Sequence, residues 1–257
     1  FTGSVETGRA IMQSAGIKSV SLELGGKNPL IVFADVDIDK AAAAAVAGMN
    51  FTVSQGQSCG SNSRVFVHRD VHDSFMQAVA TRIAKIKIGL PEREDTQMGP
   101  VITREHYDRV MAYIRSGSDE GAGLVLGGKH CADPALAKGY FIEPTVFDGV
   151  KHGMTIEREE IFGPVMSVLT WDDEATMVRE VNDTDYGLCA NIWTNDIRTA
   201  MRLTDEIEAG YIWVNGHGGK RFKGAPFGGF KDSGIGREHS LDELLSYTQI
   251  KNVNIAY

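Results

Sequence analysis

The sequence has 257 residues, 26 Lys and Arg against 34 Asp and Glu, and a net charge of −8. That balance argues against nucleic acid and anionic membrane surfaces as partners, and no apolar run approaches the roughly 18 residues that span a bilayer. Three widely spaced cysteines, Cys59, Cys131 and Cys189, make neither a disulfide framework nor a zinc ribbon, so a reducing, cytoplasmic compartment is expected.

In chain order, Glu6 to Ala15 reads as a helix closed by Gly16. Val20–Glu23 and Leu30–Phe33 read as short buried strands. Asp39 is placed to cap an Ala-rich helix running to about Asn50. Arg64–His68 is a strand, and Val71–Ile86 an amphipathic helix with Val71, Phe75, Val79, Ile83 and Ile86 on one face. A Gly- and Pro-containing loop spans Gly89 to Gly99. Thr103–Ser116 is helical; Leu124–Leu126 and Tyr140–Thr145 are strand-like. After Pro164 the order is strand (Val165–Trp171), helix (Asp173–Asn182), strand (Leu188–Trp193), helix (Asp196–Glu208), strand (Tyr211–Val214). This alternation predicts an α/β fold with a parallel sheet and right-handed crossovers. Gly216 to Gly236 holds eight glycines and reads as a long loop, which is usually functional. The cluster Lys220, Arg221 and Lys223 reads as its solvated face. A short helix is expected at Ser240–Leu245, and the tail Ser246–Ala256 has β character, a strand that an exposed edge would leave needing a partner.

Two features carry chemistry. Cys59 lies in Ser54-Gln55-Gly56-Gln57-Ser58-Cys59-Gly60. Its flanking glycines let backbone N–H groups converge, lowering a thiol pKa and holding an oxyanion. The polar context is a poor one for a structural core cysteine, whereas Cys131 and Cys189 read as structural. Glu23, in Leu22-Glu23-Leu24-Gly25-Gly26-Lys27, ends a buried strand, where desolvation raises a carboxyl pKa toward that of a general base; a buried salt bridge or a cap for the glycine turn is the competing reading. A nucleophile and a base together suit a covalent intermediate that water then hydrolyses.

Weaker signals surround them. Gly3-Ser4-Val5-Glu6-Thr7-Gly8 opens a helix, whose N-terminus attracts anions. It is not a Walker A loop, because Arg9-Ala10 stands where Lys-Ser/Thr is required. Glu160, in Glu159-Glu160-Ile161-Phe162-Gly163-Pro164, is placed to bind a ribose hydroxyl pair, or is part of a solvated acidic turn. His68 and His72 straddle an element boundary, so no metal site is expected.

Seven segments in order resemble the aldehyde dehydrogenase superfamily: Phe-Thr-Gly-Ser at 1–4 with Gly8, Leu-Glu-Leu-Gly-Gly-Lys-Asn-Pro at 22–29, Gly-Gln-Ser-Cys at 56–59, Met-Gly-Pro at 98–100, Gly-Tyr-Phe-Ile-Glu-Pro-Thr at 139–145, Glu-Glu-Ile-Phe-Gly-Pro at 159–164 and Pro-Phe-Gly-Gly-Phe-Lys-Asp-Ser-Gly-Ile-Gly-Arg-Glu at 226–238. The resemblance implies the parallel-sheet catalytic domain of that family, at 26–225. A remnant of a Rossmann-like cofactor domain would occupy 1–25, and a C-terminal loop and oligomerisation strand 226–257. Cys59 would attack the aldehyde carbon, its own N–H would stabilise the oxyanion, and Glu23 would activate the hydrolytic water. NAD or NADP would be the cofactor, with Ser4 at the pyrophosphate, Glu160 on the nicotinamide ribose, Phe162 packing nearby, and Leu24 and Gly25 beside the nicotinamide. A homodimer or homotetramer acting on a small aldehyde is implied.

The chain departs from the family's pattern in length, which in the family is about double. It also departs in a Glu-to-Cys spacing about two residues longer, and in Ser54 where Asn is common. It opens Phe1-Thr2-Gly3 without Met, so a preceding half is expected. The alternatives are a catalytically silent module that only assembles, and a cofactor-free thiol esterase.

Overall fold

Capping chemistry and side-chain periodicity fix the elements, in a computed structural model that describes residues 1–217 and 222–257. In chain order these are α1 (Val5–Ser14), β1 (Leu22–Glu23), β2 (Pro29–Val32), α2 (Ile38–Gly48), α3 (Phe51–Ser54), β3 (Arg64–His68), α4 (His72–Ile83), α5 (Arg104–Asp119), β4 (Gly123–Leu126), β5 (Thr145–Asp148), α6 (Thr155–Arg158) and β6 (Val165–Trp171). They continue with α7 (Glu174–Asn182), β7 (Tyr186–Gly187), β8 (Cys189–Trp193), α8 (Ile197–Glu206), β9 (Tyr211–Val214), β10 (Phe230–Lys231), β11 (Gly234–Ile235) and α9 (Leu241–Ser246). Side-chain oxygens of Ser4, Asp37, Thr103, Asp173 and Asp196 accept the first-turn N–H groups of α1, α2, α5, α7 and α8, the ordinary N-cap interaction. The cap of α2 is thus Asp37 rather than Asp39, which sits in the first turn.

A seven-stranded sheet runs β4-β5-β6-β3-β2-β8-β9. Every pair is parallel except β4 with β5. The expected parallel strands β6, β8 and β9 are present, but β6 and β8 are not neighbours: β3 and β2 lie between them. Alternate residues of the central strands face opposite layers. Ile31, Phe66, Val165, Leu169 and Ile192 join Val110 and Ile114 of α5, Met177 and Val181 of α7 and Leu203 of α8. Leu30, Val32, Val65, Val67, Met166 and Val168 meet the alanines of α2 and Phe75, Val79 and Ile83 of α4. Each fully buried Leu, Ile, Val or Phe contributes roughly 1.5–3 kcal/mol; the result is a three-layer α/β/α domain.

Three expectations need correction. The strand anticipated at Tyr140–Thr145 begins only at Thr145; Phe141 and Ile142 are buried without joining the ladder, apart from an isolated bridge between Ile142 and His130. Pro144 removes a donor there. The glycine-rich loop is partly packed. Phe227 and Ser233 are buried, β11 pairs antiparallel with β1 and β10 with β7. Of the basic cluster, Lys220 and Arg221 lie outside the described residues. Finally, among the described residues the tail after α9 pairs with no strand: Tyr247, Ile250, Val253 and Ile255 stand exposed.

One buried guanidinium ties the layers together. Arg64 Nε donates to the Lys27 carbonyl at 2.9 Å, Nη1 to Glu157 Oε1 at 2.8 Å and to the Glu180 carbonyl at 3.2 Å, and Nη2 to the Val181 carbonyl at 2.8 Å. Both charges of the Arg64–Glu157 pair are buried. Removing one partner strands the other, which costs about 3–5 kcal/mol. Glu157→Ala is therefore expected to lower unfolding stability by that amount in urea titrations, and the Arg64→Met/Glu157→Ala double substitution to lose less than the sum of the singles.

Candidate active site

The site forms where the amino ends of β2, β3 and β8 meet the segments that lead into them. Asn28, just before β2, is buried and makes three hydrogen bonds to three pieces of backbone. Its Nδ2 donates to the Cys59 carbonyl at 2.7 Å and the Ser61 carbonyl at 2.9 Å, and its Oδ1 accepts from Cys189 N–H at 2.9 Å. Beside it Gly26 lies so close that a Cβ would fall 2.4 Å from the Cys59 carbonyl oxygen. The Cys59 loop is held from its other end too. Gly56, at φ +72°, leaves no room for a Cβ above the Gly163 carbonyl, and Gln57 Oε1 accepts from Ile102 N–H at 3.0 Å. Left-handed backbone at Gln55 and Gly56 turns the chain after α3, which glycine adopts without steric cost.

Cys59 is half-buried and packs on an aromatic cluster of Tyr211, Trp213 and Phe227, with ring centroids 4.4 Å apart for Tyr211–Trp213 and 5.6 Å for Tyr211–Phe227. Glu23 is buried in β1. Its Oε1 lies against Gly228, where a Cβ would stand 3.0 Å away. Gly228, beside the base candidate, directly follows Phe227, a member of the cluster on which the nucleophile candidate packs. A groove of about 560 Å3 opens beside Tyr211 and Trp213, lined also by Asn215, His217, Phe222 and Ala225.

A second group of residues gathers next to these. Glu160 Oε1 accepts from Gly26 N–H at 3.0 Å, and a Cβ on Gly25 would meet Glu160 Oε2 at 2.3 Å and the Tyr186 ring at 3.1 Å. Burial pushes the Glu160 carboxyl above its usual range, opposed by the Gly26 N–H and by the charges of Lys27 and Arg109. Phe162, two residues on, has φ +55° and stands 37% exposed. Leu24 is buried with its methyl groups under Gly8 of α1, so it joins that helix to the site. Ser4 caps α1, its Oγ accepting from Thr7 N–H at 3.2 Å. The structure thus brings Cys59, Glu23, Gly25 and Glu160 to one region; Ser4 is joined to it through Gly3, whose N–H donates to the Glu23 carbonyl at 3.1 Å, and through α1 and Leu24.

The model of the aldehyde dehydrogenase family matches residues 1–253. The chain belongs to the aldehyde dehydrogenase family. It is 50% identical to aldehyde dehydrogenase tropH of Talaromyces stipitatus over 98% of its length, covering 50% of that protein. It is 48% identical to a betaine aldehyde dehydrogenase of Brucella anthropi over 99% of its length, covering 52%. Among solved structures, the NAD+ complex of an aldehyde dehydrogenase from Bacillus cereus superposes with a TM-score of 0.91 at 40% identity, over 98% of this chain and 50% of that one. The NAD+ complex of betaine aldehyde dehydrogenase from Staphylococcus aureus does so with 0.91 at 39%, over 96% and 49%. The chain spans about half the length of the relatives it matches.

Within this aldehyde dehydrogenase chain, sequence reasoning missed Asn28, Lys27 and His106. Asn28 and Lys27 stood inside a quoted motif, but a polar residue before a buried strand carries no sign of what it grips. Lys27 is wholly buried, and its Nζ has no hydrogen-bond partner among the described residues. Burial, then the Arg64 charge, pushes it down to about 7, against the pull of Glu157, Glu160 and Glu159. An unfolded lysine titrates near 10.4. Between about 7 and 10.4 the unfolded state therefore binds more protons than the folded one, and stability from this group rises with pH. The penalty of the buried ammonium is greatest at and below about pH 7. Lys27→Met is expected to raise the melting temperature more at pH 7 than at pH 9.5, measured as a difference from wild type at each pH.

Proposed function

We propose that the complete protein oxidises an aldehyde to a carboxylic acid with NAD(P)+, with Cys59 as nucleophile and Glu23 as the base that activates the hydrolytic water. The observation that supports this most directly is that Gly228 lies against the Glu23 carboxylate while the adjacent Phe227 belongs to the cluster on which Cys59 packs. In this reading the Cys59 sulfur adds to the aldehyde carbon, and the Cys59 backbone N–H stabilises the oxyanion of the thiohemiacetal. The cofactor, when bound, accepts the hydride whose loss leaves a thioester on Cys59. Glu23 then removes a proton from water as it attacks the thioester, and the acid departs from sulfur.

The residues present fit such a cofactor. Gly25 leaves a side-chain-free approach beside the Glu160 carboxylate, and that carboxylate is already oriented by the Gly26 N–H, as an acceptor for ribose hydroxyls must be. Gly25 and Leu24 would border the nicotinamide, Phe162 would pack on it, and Ser4 would face the pyrophosphate at the start of α1. The aldehyde would enter along the groove of Tyr211, Trp213 and Phe222. The exposed tail supports assembly of a homo-oligomer. Its apolar residues Tyr247, Ile250, Val253 and Ile255 stand exposed and join no strand among the described residues, and β9 is the last strand of the seven-stranded sheet, an edge of the kind that proteins pair or cover. Among the described residues no helix is long and apolar enough to cross a membrane, and the three cysteines form no disulfide, which supports a reducing compartment.

Two substitutions in the full-length protein test the assignment. Cys59→Ala is expected to lower NAD(P)+-dependent aldehyde oxidation by at least about 1000-fold, as loss of a nucleophile does; activity near wild type would end the reading. Glu23→Gln is expected to keep a rapid burst of reduced cofactor while steady turnover falls about 100- to 10,000-fold, the range of general-base catalysis.

A further inference from the structure

Phe162 holds an unusual conformation and is held there by one side chain. A bulky residue at φ +55° is a genuine outlier, costing on the order of 1–3 kcal/mol unless its surroundings enforce it. The enforcement comes from α5. His106 Nε2 lies 2.6 Å from the Phe162 carbonyl oxygen. A carbonyl can only accept, so Nε2 carries the proton. On the other side of the ring, the Arg109 guanidinium donates to Nδ1 at 3.0 Å, which requires Nδ1 to be the unprotonated nitrogen. The two contacts select one neutral tautomer. The His106 and Phe162 rings also meet edge to face, with centroids 6.1 Å apart. The next residue, Gly163, is clamped from both sides: a Cβ there would fall 2.6 Å from Val110 of α5, and its carbonyl presses on Gly56 of the Cys59 loop.

We propose that His106 is a positioning residue for hydride transfer, gripping the Phe162 carbonyl so that the Phe162 ring stands where the nicotinamide must rest against it. This rests on the cofactor reading above. His106 itself touches no reacting atom; it acts through Phe162. The charged groups beside it are Arg109, which bonds its Nδ1, and Glu105, which lines the same surface groove; Glu159 and Glu160 precede the residue it grips. Tyr113 O–H occupies Glu159 at 2.7 Å, and Gly26 N–H occupies Glu160 at 3.0 Å. Burial and then the neighbouring Arg109 hold the imidazole below its ordinary value, opposed by the Phe162 carbonyl, which keeps the gripping tautomer in place at neutral pH. Arg109 serves both partners, because its charge also favours the ionised form of Glu160.

The geometry separates two conservative replacements. Glutamine carries an N–H donor at nearly the reach of Nε2, whereas asparagine reaches only as far as Nδ1. His106→Ala, His106→Asn and His106→Gln are prepared in the full-length protein. The kcat is measured per active site, counted by titration of the Cys59 thiol so that misfolded molecules drop out. His106→Ala and His106→Asn are expected to lose at least tenfold in kcat per titrated site, with the KM for aldehyde within twofold of wild type and the KM for NAD(P)+ raised. His106→Gln is expected to stay within threefold of wild type in kcat. Unchanged kcat per titrated site in the alanine variant, or a glutamine variant no better than asparagine, would overturn the proposal. A wild-type protein that titrates one reactive thiol yet reduces no cofactor would instead overturn the parent reading, so the two failures are distinguishable.

Discussion

The site depends on a close approach of backbone to backbone. At Gly26 the Gly25–Asn28 segment runs against the Cys59 carbonyl with no side chain of its own in the way, and the Asn28 carboxamide bonds it to the Cys59–Ser61 segment. Four structural roles meet there. The segment leads into β2, an interior strand of the sheet; it carries the N–H that orients Glu160; it follows Glu23 after one residue; and its Lys27 carbonyl is fixed by Arg64. Buried backbone groups must find partners, and here one amide side chain supplies three of them from a single position. Loss of Asn28 would leave carbonyls at Cys59 and Ser61 and an N–H at Cys189 without their bonds, so the nucleophile loop, β3 and β8 share a common fastening.

The placement of chemistry at the amino ends of these strands follows from the same constraint. In open parallel sheets ligands usually meet the carboxyl ends of the strands. In this chain the loops that carry Cys59, Glu160 and the glycine pair all precede strands rather than follow them, and the glycine-rich segment after β9 folds back to cover them. Its two short pairings, β11 with β1 and β10 with β7, are what bring Gly228 to Glu23 and Phe227 to the aromatic cluster beside Cys59. A segment that composition marks as loop thus packs against Glu23 at Gly228 and joins the cluster beside Cys59 at Phe227.

Much of this was legible in the sequence, and the exceptions have physical causes. Arg64–His68, Val165–Trp171 and Tyr211–Val214 follow from apolar runs of strand length, and they coincide with the observed strands. The buried face of α4 follows from the 3.6-residue spacing of Phe75, Val79 and Ile83. Cys59 and Glu23 stood out because each is polar or reactive in a glycine-bounded context. What failed was everything decided by non-local pairing. No local pattern says that β2 and β3 intervene between β6 and β8, that Phe141 and Ile142 are buried without a ladder, or that Ser233 inside a glycine-rich loop is buried with its Oγ accepting from Gly187 N–H. His106 was invisible for the same reason: an exposed-face histidine on an amphipathic helix shows its purpose only when the strained carbonyl 56 positions away is seen against it.

The glycine pair at 25 and 26 has one more consequence. Beside the Gly26 N–H bond to Glu160, the pair contributes clearance, and clearance has no charge to screen and no proton to lose. Ionic strength and acidity therefore leave this part of the architecture untouched, while a single methyl group at either position would wedge apart the carboxylate of Glu160 or the carbonyl of Cys59 from its seat. The architecture is robust to its surroundings and brittle to its own genetic change, a combination that belongs to steric fit rather than to any bond.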